Sequence, residues 1–229
     1  MPISWRIGRR GACTAAATVC AITGLALLGV AFAPPPHPPP APPPGAHASA
    51  PPHTGLRGAR TAALPPSGPV RITVGKIGLS APVEQVGIAG DGSVAMPGKA
   101  GHAGWYTGSA TPGARGNSVL VGHLDSAAGP AVFYGLGALR GGDRISLERR
   151  DGREARFTVT GVAVYPKDGF PSARVYAATA GPRLTLLTCA DWDEERQDYR
   201  ANLVITAHPA AGRDATAPRW SALIATDPY

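Results

Sequence analysis

The sequence predicts a mainly β protein whose folded part is a closed or nearly closed β-barrel of about eight short strands. Short apolar or alternating segments recur between residues 70 and 207, as expected for buried and half-buried strands. Glycine, proline and aspartate separate these segments at turn positions. Only one stretch has the spacing of a short helix. Many short strands with little helix are typical of a barrel.

The first predicted strand, residues 70–74, alternates apolar and polar side chains. The second is broken into residues 81–83 and 86–88, and a turn follows at 90–92. Residues 101–116 are rich in loop-forming residues, among them Gly104-Trp105-Tyr106. The later predicted elements are a strand at 117–122, a short helix within 130–139, a hairpin of 144–147 and 157–162, an irregular stretch at 166–180, and strands at 183–188 and 201–207.

The segment 1–69 differs in composition from the rest of the chain. It contains no Asp or Glu, and 14 of the 25 prolines lie between residues 34 and 69. Its net charge is +5, against +2 for residues 70–229. The basic character therefore belongs to this segment, and no basic stripe with interleaved aromatics indicates nucleic-acid binding. The remainder of the chain, 70–229, is long enough for one domain with a sizeable core.

Residues 1–10 form a basic tail, and residues 11–33 are uncharged and mostly apolar. A run of this length spans a bilayer as a helix, and the preceding arginines place the N-terminus in the cytoplasm. We therefore expect a single-pass anchor in the cell membrane with an extracellular domain. A cleaved signal peptide is the alternative, because Ala31-Phe32-Ala33 resembles a cleavage site. We assign residues 34–69 to a proline-rich disordered linker, 70–208 to the barrel and 209–229 to a C-terminal tail.

Cys189 is the only cysteine of the expected domain, since Cys13 and Cys20 lie in the apolar run. A single thiol forms neither a disulfide framework nor a multi-cysteine metal site. Cys189 ends a predicted strand, and Arg200 begins the next one after the acidic, exposed loop 190–199. A cysteine beside a fixed cation is typical of a reactive thiolate.

Acyl transfer by a thiol also needs an acid for the leaving amine. His123 ends an apolar strand, whereas His102 lies in a glycine-rich loop and His208 precedes a proline. His123 is therefore the favoured partner of Cys189. Asp125 either orients His123 or is a turn residue, and its position favours the turn.

Three segments resemble the signatures of sortases, the bacterial cysteine transpeptidases of the cell surface. The segments are Gly122-His123-Leu124-Asp125, Thr185-Leu186-Leu187-Thr188-Cys189 and Arg200. The spacing from the histidine to the cysteine and the spacing from the cysteine to the arginine also fit. The resemblance covers residues 70–207, and three finer segments resemble the actinobacterial class F branch, namely residues 104–106, 129–133 and 167–171.

The resemblance implies a sortase-type barrel of eight strands and a set of site residues. Cys189 would attack the Thr–Gly bond of a Leu-Pro-x-Thr-Gly-like sorting signal and form a thioacyl-enzyme. His123 would serve as general acid and then base, and Arg200 would hydrogen-bond the substrate or the oxyanion. Thr188 would orient the substrate or the oxyanion, and Trp192 is the best aromatic candidate for the peptide groove.

The implied partners are surface proteins with a C-terminal sorting signal and an amine acceptor from a cell-wall precursor or a pilin. The chemistry needs no metal or other cofactor. Some sortases bind calcium through acidic loops, but we interpret the acidic residues after Cys189 as a solvated loop.

Two alternatives bear on this interpretation. Papain-like peptidases place cysteine before histidine, and L,D-transpeptidases place histidine a few residues before cysteine, so neither order matches His123 and Cys189. The alternative from another class is a membrane-tethered, non-enzymatic β-barrel binding or adhesion module. It predicts that Cys189 is a buried, inert thiol.

Overall fold

A computed structural model describes residues 38–46 and 62–210 of the 229-residue chain. The strands are β1 (Pro69–Val74), β2 (Leu79–Val86), β3 (Ala103–Tyr106), β4 (Gly116–Val121), β5 (Asp125–Ser126), β6 (Gly129–Pro130), β7 (Arg144–Arg149), β8 (Glu154–Pro166), β9 (Pro182–Asp193) and β10 (Asp198–Pro209). The helices are two short 3-10 helices, Gly75–Ile77 and Tyr134–Ala138, and one α-helical turn, α1 (Ser172–Val175).

Eight of these strands close into a barrel in the order β1-β2-β3-β4-β9-β10-β8-β7, and β5 pairs with β6 in a separate two-stranded ladder. The prediction of a mainly β, closed, eight-stranded barrel with short helices is confirmed. The apolar run 11–33, whose membrane-spanning role we predict, lies outside the described residues, as does the tail beyond residue 210. Within residues 38–46 and 62–210, no helix is long and apolar enough to cross a bilayer.

Alternate side chains of the strands fill the barrel interior, as the period of two in a strand requires. Each such side chain, once buried, stabilises the fold by about 1.5–3 kcal/mol. Residues of the connection between β4 and β7 join the same core. The main contributors, each at most 3% exposed, are Ile72, Val74, Leu120, Phe133, Leu136, Leu139, Ile145, Leu147, Phe157, Leu184, Leu186, Leu203 and Ile205.

β3 is the barrel strand that the sequence does not reveal, and the short strands β5 and β6 outside the barrel were not predicted either. We expected Gly104-Trp105-Tyr106 in a loop, but β3 runs parallel to β2 and antiparallel to β4. A Cβ on Gly104 would lie 2.8 Å from Val86 and 3.3 Å from Val121. The strand therefore depends on a glycine at its point of closest approach, and so short a strand around a glycine carries no alternation signal.

β9 and β10 extend beyond their predicted ends, and the expected exposed loop 190–199 is wrong in this respect. The two strands stay paired from Cys189↔Asn202 to Asp193↔Asp198, so that only residues 194–197 make the turn. Both faces of this two-stranded ribbon are largely polar, which removes the apolar alternation that marks a strand. Cys189 therefore lies within β9 rather than at its end.

Two described segments of the predicted linker lie against the barrel. Ala46 is 4% exposed, and its carbonyl accepts a hydrogen bond of 2.8 Å from the Val164 amide. The Leu64 amide donates to the Gly113 carbonyl at 2.8 Å, and the Leu64 side chain packs on the core. Paired backbone groups thus attach both segments to the barrel.

Arg149 joins three separate parts of the fold. Its side chain is fully buried and donates to the carbonyl oxygens of Pro112 and Pro65, each at 2.5 Å. Its guanidinium also pairs with Asp151 at 2.9 Å. One side chain therefore satisfies two proline carbonyls and a carboxylate at the end of β7.

Replacing Arg149 by Met should cost about 2–4 kcal/mol in the free energy of unfolding. The substitution leaves the buried Pro112 carbonyl and the partly buried Pro65 carbonyl without this donor, and Asp151 without its ion pair. Urea denaturation followed by tryptophan fluorescence measures this loss. Arg156→Met is the matched control, since its pair with Glu154 at 2.7 Å is partly exposed and should be worth less than about 1 kcal/mol. Equal losses in the two variants would contradict this account of Arg149.

Candidate active site

The strands that lead to His123 and Cys189 are neighbours in the barrel. β4 pairs in parallel with β9 at a constant offset, from Gly116↔Pro182 to Val121↔Leu187. The pairing continues past β4, because the Gly122 amide donates to the Leu187 carbonyl at 3.2 Å. Continuing the same offset to the second position after Val121 sets His123 beside Cys189.

Strand alternation places Cys189 on the outer face of the barrel. Leu184 and Leu186 belong to the interior core, whereas Leu187 packs against a second cluster. That cluster lies on the outer face and contains Ala163, Tyr165, Val175 and Val204. Because side chains two residues apart share a face, Cys189 projects to the same side as Leu187. Its side chain is partly buried.

Thr188 holds the two strands together at the site. Its side chain is 2% exposed, and its hydroxyl donates to the Gly122 carbonyl at 2.8 Å. We expected Thr188 to orient the substrate, but in this structure its hydroxyl donates its hydrogen bond to Gly122, the residue before His123. Gly122 itself tolerates no side chain, because a Cβ would lie 2.6 Å from the Phe133 ring and 2.7 Å from Val132.

The ring of His123 is oriented by the connection between β2 and β3. Its Nε2 atom lies 2.9 Å from the Pro97 carbonyl oxygen. A carbonyl oxygen only accepts, so Nε2 carries a proton and Nδ1 is the nitrogen left for proton exchange. Asp125 accepts a hydrogen bond from the Tyr199 hydroxyl. It lies in β5, paired with Pro130, and residues 127 and 128 form the turn of this short hairpin. Asp125 is therefore a strand residue next to the turn and not the turn residue that we favoured.

Arg200 lies on the outer part of the ribbon and is engaged by carboxylates. Its Nη2 is 3.0 Å from Asp191, and its Nε is 3.6 Å from Asp193. The side chain is 52% exposed. The expected cation is therefore on the strand paired with the cysteine strand, but its contacts here are to acidic residues of the same ribbon.

The environment of Cys189 favours the neutral thiol. Burial raises the pKa of the thiol above its usual value, Lys167 lowers this pKa, and Asp198 and Asp125 raise it. Lys167 pairs with Asp198 at 3.1 Å, and its amide donates to the Arg200 carbonyl at 2.8 Å. The thiolate is therefore a minor form at neutral pH unless a base takes the proton.

Trp192 lies on the ribbon, is 43% exposed and meets the Tyr199 ring edge-on with centroids 5.0 Å apart.

An open depression of about 500 Å³ lies between the end of β8 and the ribbon. Its lining includes Lys167, Asp191 and Arg200, but neither Cys189 nor His123. Among the described residues, no group of three or more His, Cys, Asp or Glu side chains is arranged to hold a metal ion.

The geometry adds residues that sequence reasoning missed. Pro97, Lys167, Asp198 and Tyr199 all act on His123, Cys189 or Asp125 through contacts between distant parts of the chain. Lys167 and Tyr199 do lie within or beside segments that we had singled out. Their roles depend on loop positions, for which the sequence holds no local signal.

The model of the sortase domain matches residues 72–210, more than half of the chain, and the chain belongs to the sortase family. Members of this family are cysteine transpeptidases, and so is this protein. Sortases in general act on sorting signals and on cell-wall or pilin acceptors. Membership supports the enzymatic interpretation over the binding module.

Solved structures of several sortase types are similar to this chain. Sortase C-1 from Actinomyces oris is 20% identical, with 61% of this chain and 72% of that chain covered and a TM-score of 0.45. Sortase C1 from Streptococcus agalactiae is 20% identical, with 62% of this chain and 67% of that chain covered and a TM-score of 0.49. Sortase A from Listeria monocytogenes is 19% identical, with 66% of this chain and 92% of that chain covered and a TM-score of 0.48. A comparison with curated proteins gave no significant match.

Two substitutions should move the reactivity of Cys189 in opposite directions. Lys167→Met removes a charge that lowers the thiol pKa and leaves Asp198 unpaired, so alkylation at neutral pH should slow. Asp198→Asn removes a charge that raises the pKa and frees Lys167, so alkylation should accelerate.

The measurement is the rate of iodoacetamide reaction against pH, with Cys13 and Cys20 replaced by Ala so that Cys189 is the only thiol. The reaction requires the thiolate, so a raised pKa moves the profile to higher pH and a lowered pKa moves it to lower pH. Shifts of the same sign in both variants would contradict this description of the site.

Proposed function

We propose that Cys189, His123 and Arg200 catalyse transpeptidation at a Leu-Pro-x-Thr-Gly-like sorting signal. The observation that carries the proposal is the β4–β9 register, whose continuation sets His123 beside Cys189. The outer-face position of Cys189 supports it as well, because an extended peptide reaches the thiol there without entering the barrel.

The proton moves between the two side chains in both half-reactions. As Cys189 Sγ attacks the threonine carbonyl, its proton passes to His123, and the imidazolium then protonates the leaving glycine amine. In the second half, His123 takes a proton from the incoming amine, which displaces Sγ from the acyl group. Because burial raises the pKa of the thiol, transfer to His123 accompanies attack rather than preceding it.

Arg200 supplies hydrogen bonds to the substrate backbone or to the oxyanion of the tetrahedral intermediate. A guanidinium has several N–H donors in a planar fork. Arg200 can therefore donate one hydrogen bond to a substrate carbonyl oxygen and keep another to Asp191. The contacts with Asp191 and Asp193 hold its side chain on the ribbon before substrate arrives. Trp192 flanks the peptide groove from the same ribbon. Thr188 acts indirectly, because its hydroxyl holds the residue before His123.

The wider role follows from the parts of the chain around the barrel. Residues 11–33 anchor the protein in the cell membrane, and the proline-rich segment holds the catalytic domain outside. The substrates are surface proteins with a C-terminal sorting signal, and the acceptor is an amine of a cell-wall precursor or a pilin. The segments at 104–106, 129–133 and 167–171 support assignment to class F.

Cleavage of a quenched Leu-Pro-x-Thr-Gly peptide tests the assignment. Cys189→Ala should abolish cleavage, and His123→Gln should lower kcat by about 10²–10⁴ because the acid and base is lost. His102→Gln is the control, since His102 is also a partly buried histidine but pairs with Glu84 at 3.1 Å. Cleavage that survives Cys189→Ala, or equal losses in the two histidine variants, would rule the assignment out.

Thr188 tests whether strand register matters to the chemistry. Thr188→Val removes the donor to the Gly122 carbonyl while keeping the side-chain shape, and it should lower kcat about tenfold with little change in KM. Thr188→Ser keeps the hydroxyl and should restore most of the activity. A rise in KM with unchanged kcat would instead indicate direct contact between Thr188 and the substrate.

A further inference from the structure

Tyr199 and Asp125 connect two segments that lie on opposite sides of the cysteine strand. Asp125 lies just after His123, beyond the end of β4, and Tyr199 immediately precedes Arg200 in β10. In the barrel order, β9 lies between β4 and β10. The hydrogen bond from the Tyr199 hydroxyl to the Asp125 carboxylate therefore reaches across β9, just beyond Cys189.

The tyrosine is held in place to make this bond. Its backbone is paired with Trp192 across the ribbon, and the two rings meet edge-on at 5.0 Å. Its amide also donates to the Asp198 carboxylate at 2.7 Å. A donor fixed by backbone pairing, ring contact and amide bond loses little conformational freedom when it binds its acceptor.

Both partners also act on the electric field at Cys189. Four charged or titratable groups interact electrostatically with the thiol: Lys167 from the connection after β8, Asp198 and Tyr199 from β10, and Asp125 from the segment after β4. The continued β4–β9 register adds His123 to this set. Burial and the hydrogen bond to Asp125 raise the pKa of Tyr199, so it remains a donor throughout the neutral range. Its proton disperses part of the charge of Asp125.

We propose that the Tyr199–Asp125 hydrogen bond is a clasp that holds the His123 segment in register with Cys189. Tyr199 and Asp125 are thus positioning residues that act through His123 and Cys189. The inference rests on the proposed function, since it takes Cys189 as nucleophile and His123 as its partner. Without the clasp, the end of β4 and the hydrogen bond between Thr188 and Gly122 would still join the His123 segment to the cysteine strand. The Asp125 end of that segment would lose its link to β10.

The test uses full-length protein in detergent, with Cys13 and Cys20 replaced by Ala. Tyr199→Phe removes the hydroxyl but keeps the ring contact with Trp192, and Asp125→Ala removes the acceptor. Both single variants and the double variant are compared. Tyr165→Phe is the matched control, because it also removes a tyrosine hydroxyl from a charged partner, Arg174, at 2.5 Å.

Each single variant should lower kcat for the sorting peptide about tenfold and leave KM within about twofold, and the double variant should be no slower than either. Tyr199→Phe should move the pH profile of Cys189 alkylation to higher pH, because Asp125 then acts on the thiol unscreened. Asp125→Ala should move it to lower pH, and adding Tyr199→Phe to Asp125→Ala should cause no further shift. Tyr165→Phe should leave kcat and the profile unchanged.

Multiplicative losses of kcat in the double variant, or an unshifted alkylation profile in Tyr199→Phe, would overturn the clasp. A similar shift in Tyr165→Phe would overturn it too, since the effect would then belong to tyrosine hydroxyls in general. A wild-type chain that cleaves no sorting peptide would overturn the proposed function instead. The alkylation profile needs no substrate and still decides the clasp in that case.

Discussion

The parallel pairing of β4 with β9 is the constraint on which the site depends. The recorded pairs run to Val121↔Leu187, and the Thr188 hydroxyl bonds to Gly122 one position further on. Continuing the same offset by one more residue sets His123 beside Cys189. A slip of one residue would exchange the two faces of the strand and turn the thiol toward the barrel core. Three sets of contacts fix the register. They are the packing of interior leucines of both strands, the hydrogen bond of the buried Thr188 hydroxyl, and the packing of Phe133 over Gly122.

The charges around the thiol come from elements that meet only in the closed barrel. Lys167 follows β8, Asp198 begins β10, and Asp125 follows β4. Burial raises the pKa of Cys189, Lys167 lowers it, and Asp198 and Asp125 raise it. The pKa lies above its usual value, so the resting enzyme carries a protonated thiol at neutral pH. Such a thiol reacts slowly with oxidants and alkylating agents. Reactivity then arises where a base sits beside it, which is the position that the strand register assigns to His123.

Much of the barrel and the pairing of His123 with Cys189 was predictable, because strand patterns and residue spacing are local features of the sequence. Short apolar or alternating segments revealed the strands around residues 70–74, 144–147 and 201–207. The separation between His123 and Cys189 equals the offset between β4 and β9. β3 was not predicted because it is short and Gly104 leaves it without an alternating pattern. The continuation of β9 and β10 beyond Cys189 was not predicted because both faces of that ribbon are largely polar. The contacts of Pro97, Lys167 and Tyr199 join residues far apart in the chain, and no local preference encodes such pairs.

The most direct test of the account is whether positions 123 and 189 are adjacent. Paired residues of neighbouring strands have Cα atoms about 5 Å apart, within the range of roughly 4.4–6.8 Å that a disulfide spans. In a chain lacking Cys13 and Cys20, His123→Cys should form an intramolecular disulfide with Cys189 under mild oxidation, seen by mass and by thiol titration. His208→Cys, well beyond Asn202, the β10 partner of Cys189, should remain reduced. Two free thiols in His123→Cys would contradict the register and the catalytic pairing built on it.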